Sequence, residues 1–226
     1  MTRGSRPGAG LAVLDLRGDA DLDLGGVAEH LRDGGIVAYP TETVYGLGGA
    51  CTPEAVDHVR RTKGREAEKP FLALIDSVEA APGLVWTDEA RELASIFWPG
   101  SVTLVLSDPD RTFPDGVRSL RGTVGVRVSP HPLVVALLSA LGTPLTSTSL
   151  NVPGEDPVSS GWKARELLVR LGAEGVLLLD VGTLPPSAPS TVVDCTGPTP
   201  VVLREGAVPT DRLRCAIPEI HGTRID

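Results

Sequence analysis

Short apolar runs alternate along this chain with longer stretches in which apolar residues recur at helical spacing. The runs read as buried strands and the spaced stretches as amphipathic helices. Strands are predicted over 13–16, 36–39, 71–75, 102–106, 124–128, 145–148, 176–179, 191–194 and 201–203. Helices are predicted over 26–33, 52–61, 87–97, 133–141 and 162–171. Thr52-Pro53-Glu54 carries a hydroxyl cap, a proline at the first helical position and an acid at the positive helix end. Thr87 caps the next helix, whose Ala90, Leu93, Ala94 and Phe97 share one face. Gly34-Gly35 and Gly142 mark helix ends. The alternation lacks a strict βαβ rhythm, which predicts an α/β fold with a twisted, open, mixed sheet and helices packed on it.

Residues 34–49, GGIVAYPTETVYGLGG, begin as a buried strand and are expected to end as a polar, glycine-rich loop. No repeat at a fixed period and no linker is visible. The expected organisation is a disordered lead over 1–10, one domain over 11–208, and a tail over 209–226.

The 226 residues are enough to bury a substantial core. Hydrophobic residues make up 41% and charged residues 22%, a soluble, globular balance. No apolar run is long enough to span a bilayer, and MTRGSRPGAG lacks the apolar stretch of a signal peptide. Cys51, Cys195 and Cys215 are odd in number and scattered, which argues against a disulfide framework and for a reducing, cytoplasmic setting. The net charge of −8 speaks against broad nonspecific nucleic-acid binding. Against that average, Arg60, Arg61, Lys63, Arg65 and Lys69 are concentrated just after the 34–49 stretch.

Phosphate-loop, dinucleotide and nucleophile-elbow motifs are absent. His30, His58, His131 and His221 show no metal-ligand spacing, and the cysteines form no C-x-x-C. Metal hydrolysis and redox chemistry therefore have no motif to rest on.

Five polar groupings remain. Thr41-Glu42-Thr43 with Tyr45 through Gly49 offers hydroxyls and close backbone approach after a strand, or simply a turn. Lys63-Gly64-Arg65 with Lys69-Pro70 can converge on an anion, although Arg60, Arg61 and Lys63 also suit a helix C-terminus. Thr123, Gly125 and Arg127 share one strand face, opposite Val124 and Val126. An arginine there needs a partner, either a protein carboxylate or a ligand's. Thr146 through Asn151 could line a pocket or satisfy its own backbone. Ser190-Thr191 and Leu203-Arg204-Glu205-Gly206 complete the set.

In order, YPTETVYGLG, K-G-R with K-P, WPGSVTLVL, VGVRVSPHP, PLTSTSLN, PSTVVD and LREG resemble the YrdC/TsaC family of threonylcarbamoyl-AMP synthases. The resemblance runs from about residue 34 to 206. It implies a concave, positively charged cavity on the sheet. The implied reaction condenses L-threonine, bicarbonate and ATP into threonylcarbamoyl-AMP and pyrophosphate. The implied cofactor is Mg2+ held mainly by the ATP phosphates. The product would pass to a downstream tRNA threonylcarbamoyl transferase, and tRNA is itself a candidate partner.

By the same resemblance, Thr43, Arg127, Ser147 and Ser190 are threonine-side residues, with Arg127 on the carboxylate. Lys63 and Arg65 are catalytic, and Lys63, Arg65 and Lys69 meet the phosphates and the bicarbonate or carbamate. Thr123, Ser149, Asn151 and Arg204 are nucleotide contacts. No nucleophilic Cys or His is needed, because positioning and charge stabilisation carry such chemistry.

The chain departs from the pattern at Leu150, where the family has a small residue, at Leu74, where long relatives carry a histidine, and at Pro157, often a serine. These changes bear on amino-acid specificity more than on nucleotide binding. The long form's extra C-terminal domain is not in this sequence, which points to the short, single-domain type. Two alternatives stand beside this reading: a related carbamoyl-adenylate-forming enzyme with another acceptor, and a noncatalytic RNA-binding module. The low aromatic content of 4% weighs against the latter.

Overall fold

The computed structural model describes residues 11–18, 24–66 and 69–222, so the expected lead over 1–10 lies outside the described residues. The strands are β1 (Ala12–Asp15), β2 (Ile36–Pro40), β3 (Tyr45–Gly49), β4 (Leu72–Leu74), β5 (Val102–Ser107), β6 (Thr123–Arg127), β7 (Leu145–Ser149), β8 (Val176–Asp180), β9 (Thr191–Asp194) and β10 (Val201–Arg204). The helices are α1 (Gly25–Arg32), α2 (Pro53–Lys63), α3 (Asp88–Phe97), α4 (Pro132–Leu141), α5 (Gly161–Arg170) and α6 (Thr210–Ala216). The strands form one sheet in the order β1-β8-β2-β3-β7-β4-β6-β5-β9-β10. Pairing is mixed: β2 runs parallel to β8 and antiparallel to β3, and β4 runs parallel to β6 and antiparallel to β7.

Local signals set the helix limits. Thr52 and Thr87 accept from the Ala55 and Ala90 amides at 3.3 and 3.1 Å. Gly64 and Gly142 end α2 and α4 in the left-handed conformation.

Two expectations change. The glycine-rich end of the 34–49 stretch is not a loop. It is β3, buried throughout and paired with β2 and β7. Its glycines allow a close backbone approach: a Cβ on Gly48 would lie 1.7 Å from the Thr146 carbonyl oxygen. The turn that links β2 to β3 is held by Thr41, whose hydroxyl accepts from the Thr43 and Val44 amides, both at 3.2 Å. The expected tail holds α6, and Leu213, Ile217 and Ile220 are buried in the main core. That segment is too short for its periodicity to stand out in sequence.

The core has two layers. Ile36 and Ala38 of β2 enter one cluster, with α2, α3, α5 and α6, while Val37 and Tyr39 enter the other, with α1 and α4. The second face is covered by helices around β1, β8, β2, the start of β7 and the end of β4. Among the described residues its continuation over β3, the rest of β7 and β4, β6, β5, β9 and β10 carries no helix of its own, and the cavity described next lies there.

Candidate active site

Side chains that share one sheet face form the floor of a cavity of about 540 Å³, within the usual range for small-molecule sites. Strand register sets their order. Gly46 sits opposite Ser149, Leu72 opposite both Ser147 and Gly125, and Gly125 opposite Val105. Further along, Thr103 sits opposite Val192 and Val192 opposite Arg204. Small residues at Gly46, Gly125 and Ser147 leave the middle of this surface open.

Three arginines and no acidic side chain line the cavity among the described residues: Arg65, Arg127 and Arg204. Arg127 is 4% exposed and pairs through one Nη with Glu42 Oε1 at 3.3 Å, while its Nε is buried without a partner. Glu42 is fixed in turn by the Ser129 hydroxyl at 2.5 Å and that of Ser101 at 3.4 Å. Arg204 donates to the Ser190 carbonyl at 2.8 Å. Burial first, and the Arg127 charge second, push its pKa down. Arg65 donates to the Lys69 and Pro70 carbonyls and to the Thr148 hydroxyl, and lies over the Phe71 ring. Burial, then the nearby Arg60, depress its pKa. Like charges held close around an open cavity favour an anionic ligand, which would relieve both the desolvation and the repulsion.

Hydroxyls occupy the remaining walls. Thr41 and Thr43 bond each other at 3.0 Å, Thr103 and Ser190 at 2.9 Å, and Thr123 and Ser119 at 2.8 Å. Ser149 donates to Asn151 Oδ1 at 2.8 Å, and the Asn151 amide nitrogen donates to the Val152 and Glu155 carbonyls.

Lys63 lies behind this wall. Its ammonium donates to the Ser149 carbonyl, to the Asn151 carbonyl at 2.7 Å and to Asn151 Oδ1. Burial, and then Arg65, push its pKa down to about 8.

Of the eleven residues assigned from sequence, nine line the cavity: Thr43, Arg65, Thr123, Arg127, Ser147, Ser149, Asn151, Ser190 and Arg204. Lys63 backs it, and Lys69 stands outside, exposed and paired with Glu66 at 2.9 Å. Sequence reasoning assigned no role to Glu42, the partner of Arg127, or to Thr103, the partner of Ser190. An acid just past a fully apolar strand was the available signal for Glu42. Leu74 and Leu150 point into the core clusters and do not line the cavity, whereas Pro157 does. Among the described residues no group of three His, Cys, Asp or Glu could hold a metal ion, and none of the helices is long and apolar enough to cross a membrane.

Fold and site together define an α/β protein whose open sheet face carries a small-molecule-sized cavity walled by arginines and hydroxyls. The profile of the Sua5/YciO/YrdC family, described as "Telomere recombination", matches residues 29–206, and the chain belongs to this family. It is 33% identical to the threonylcarbamoyl-AMP synthase of Bacillus subtilis over 92% of this chain and 60% of that protein. It is 38% identical to that of Marinobacter nauticus over 68% of this chain and 82% of the relative. The structure of P. abyssi Sua5 complexed with L-threonine superposes with a TM-score of 0.84 at 32% identity, over 94% of this chain and 62% of that one. The chain thus spans less than two thirds of the Bacillus and Pyrococcus proteins.

Proposed function

We propose that this chain is an L-threonylcarbamoyladenylate synthase, which condenses L-threonine, bicarbonate and ATP into threonylcarbamoyl-AMP and pyrophosphate. The observation that carries the reading is the sheet-face cavity with Arg65, Arg127 and Arg204 on its walls and no lining carboxylate among the described residues.

The chemistry joins anions. The threonine amine attacks the carbon of CO2 derived from bicarbonate and loses a proton, giving a carbamate. A carbamate oxygen then attacks the α-phosphorus, the bond to the β-phosphate breaks, and pyrophosphate leaves with the electron pair. Arg127 holds the threonine carboxylate through the edge that Glu42 leaves open, with Thr43, Ser147 and Ser190 around the amino acid. Arg65 meets the phosphates, and Lys69 joins it by leaving Glu66. Thr123, Ser149, Asn151 and Arg204 take the nucleotide side. Lys63 acts by fixing the Ser149–Asn151 wall. Fixed donors facing developing charge lower the barrier without a covalent intermediate.

Mg2+ suits this site as a cation carried on the ATP phosphates, which it would neutralise, since the described residues offer no protein-side ligand set. The product goes to a tRNA threonylcarbamoyl transferase, with tRNA as the final acceptor, and the setting is cytoplasmic.

The test is pyrophosphate release from ATP with threonine and bicarbonate omitted in turn. Release that needs both is expected. Release indifferent to threonine, or supported only by carbamoyl phosphate, sinks this reading.

A further inference from the structure

A second basic cleft, of about 390 Å³, lies beside the cavity and shares Pro70 with it. Arg60, Arg111 and Arg118 line it, with Asp115 and Ser119. The Phe71 ring links the two sites: the Arg60 guanidinium lies 5.9 Å from its centroid and that of Arg65 5.3 Å.

Two of these guanidinium heads have seats made for them. Gly116 and Gly122 are both in the left-handed conformation, at φ 98 and 77. A Cβ on Gly116 would fall 2.3 Å from Arg60 Nη2, and one on Gly122 would fall 2.7 Å from Arg118 Nη2. Arg111 is the one non-glycine residue with positive φ among the described residues, at 54. Strain of this kind persists where the surroundings impose it.

The cations here are unevenly matched. Arg111 pairs with Asp115 at 3.2 Å. Arg118 donates through Nε to the Asp108 carbonyl at 3.1 Å and stands 3.6 Å from its carboxylate. That carboxylate is already bonded to the Thr112 amide and hydroxyl and to the Phe113 amide. Arg60 has no ion pair among the described residues, and its Nε is buried without a partner. The cleft therefore holds an uncompensated positive charge, with planar forks suited to phosphate oxygens.

The geometry points to this cleft as a second anion site, one that takes a phosphate oxyanion and pyrophosphate in particular. Pyrophosphate brings more charge and more oxygens to these forks than orthophosphate does. The choice of pyrophosphate rests on the proposed reaction, which releases it in the adjoining cavity. The oxyanion site itself does not depend on that reaction.

The experiment is a titration of the 15N-labelled protein with orthophosphate, pyrophosphate and ATP. The amides of Gly116, Ser119 and Leu120 report on the cleft, and those of Gly46, Gly125 and Ser147 on the cavity. Pyrophosphate is expected to shift the cleft set, and more tightly than orthophosphate. Arg60→Gln should weaken that response at least about tenfold while the cavity set still responds to ATP. Arg111→Gln is the second variant, and it leaves α2 untouched. Cleft amides that pyrophosphate does not move overturn the site, and so does an undiminished response in both variants. Equal affinity for orthophosphate and pyrophosphate overturns the product assignment. Failure of threonine-dependent turnover with the cleft response intact would count against the proposed reaction alone.

Discussion

Lys63→Met replaces a buried ammonium by an apolar chain of similar length, and its effect should depend on pH. In the native protein the ammonium serves two backbone carbonyls and the Asn151 side-chain oxygen. The last keeps a donor in Ser149 when Lys63 is lost, so two carbonyls are orphaned. At about 1–3 kcal/mol for each unsatisfied buried acceptor, the loss is roughly 2–6 kcal/mol. Removing the charge offsets part of it. Burial takes the Lys63 pKa from 10.5 to about 8. At roughly 1.4 kcal/mol per pH unit, that is an electrostatic penalty on the order of 3 kcal/mol. The unfolded chain holds the proton between about pH 8 and 10.5 while the folded chain releases it. Stability from this group therefore rises with pH through that window, and the penalty is fully present below it. Urea unfolding of both proteins from pH 7 to 10 isolates the effect, because other titrating groups cancel in the difference. The wild type should gain over Lys63→Met by up to about 3 kcal/mol across the window. A difference that stays constant with pH refutes the depressed pKa. In turnover, the variant should raise the KM for ATP, because Ser149 and Asn151 line the cavity.

Two glycines should behave oppositely. Gly48→Ala drives a Cβ into the Thr146 backbone and should prevent folding or cost more than about 3 kcal/mol in urea unfolding. Gly125→Leu meets only ordinary contacts at its Cβ, 3.5 Å from Thr103 and 3.8 Å from Leu72, so it should stay folded by circular dichroism while its side chain fills the cavity floor and abolishes ligand binding by calorimetry. Glu42→Leu leaves the buried Arg127 without its counter-charge and should cost about 3–5 kcal/mol by thermal or urea unfolding. Glu42→Gln, which keeps an acceptor for Arg127, should lose much less; equal losses in the two variants would show that the pair contributes shape rather than charge.

The sequence was most legible where one local rule decided the outcome. The hydroxyl caps at Thr52 and Thr87 and the shared face of Thr123, Gly125 and Arg127 all stand in the structure as the spacing predicts. It was least legible where the deciding partner is far away in the chain. Read locally, YGLGG says loop, because glycine frees the backbone. In the fold the same glycines let β3 lie against Thr146, 98 residues from Gly48, and the strand results. The partner of Arg127 was open for the same reason: nothing local to VGVR shows that Glu42, in the turn between β2 and β3, will meet it.

Long-range geometry also narrows what the departures from the family pattern mean. In S-L-N, Ser149 and Asn151 line the cavity while Leu150, between them, is fully buried on the opposite side of the chain. Its bulk is absorbed by the core and cannot crowd a ligand. Leu74 shares a face with Leu72, but it lies beyond the cavity, under α4 in the second core layer. Pro157 alone of the three reaches the cavity wall. It follows from the segment that Asn151 pins through the Val152 and Glu155 carbonyls. A proline there supplies no backbone donor and no hydroxyl. Under the proposed placement of the amino acid beside Thr43 and Ser147, selectivity turns on how that apolar wall meets their hydroxyls, and Lys63, by holding Asn151, sets where the wall stands.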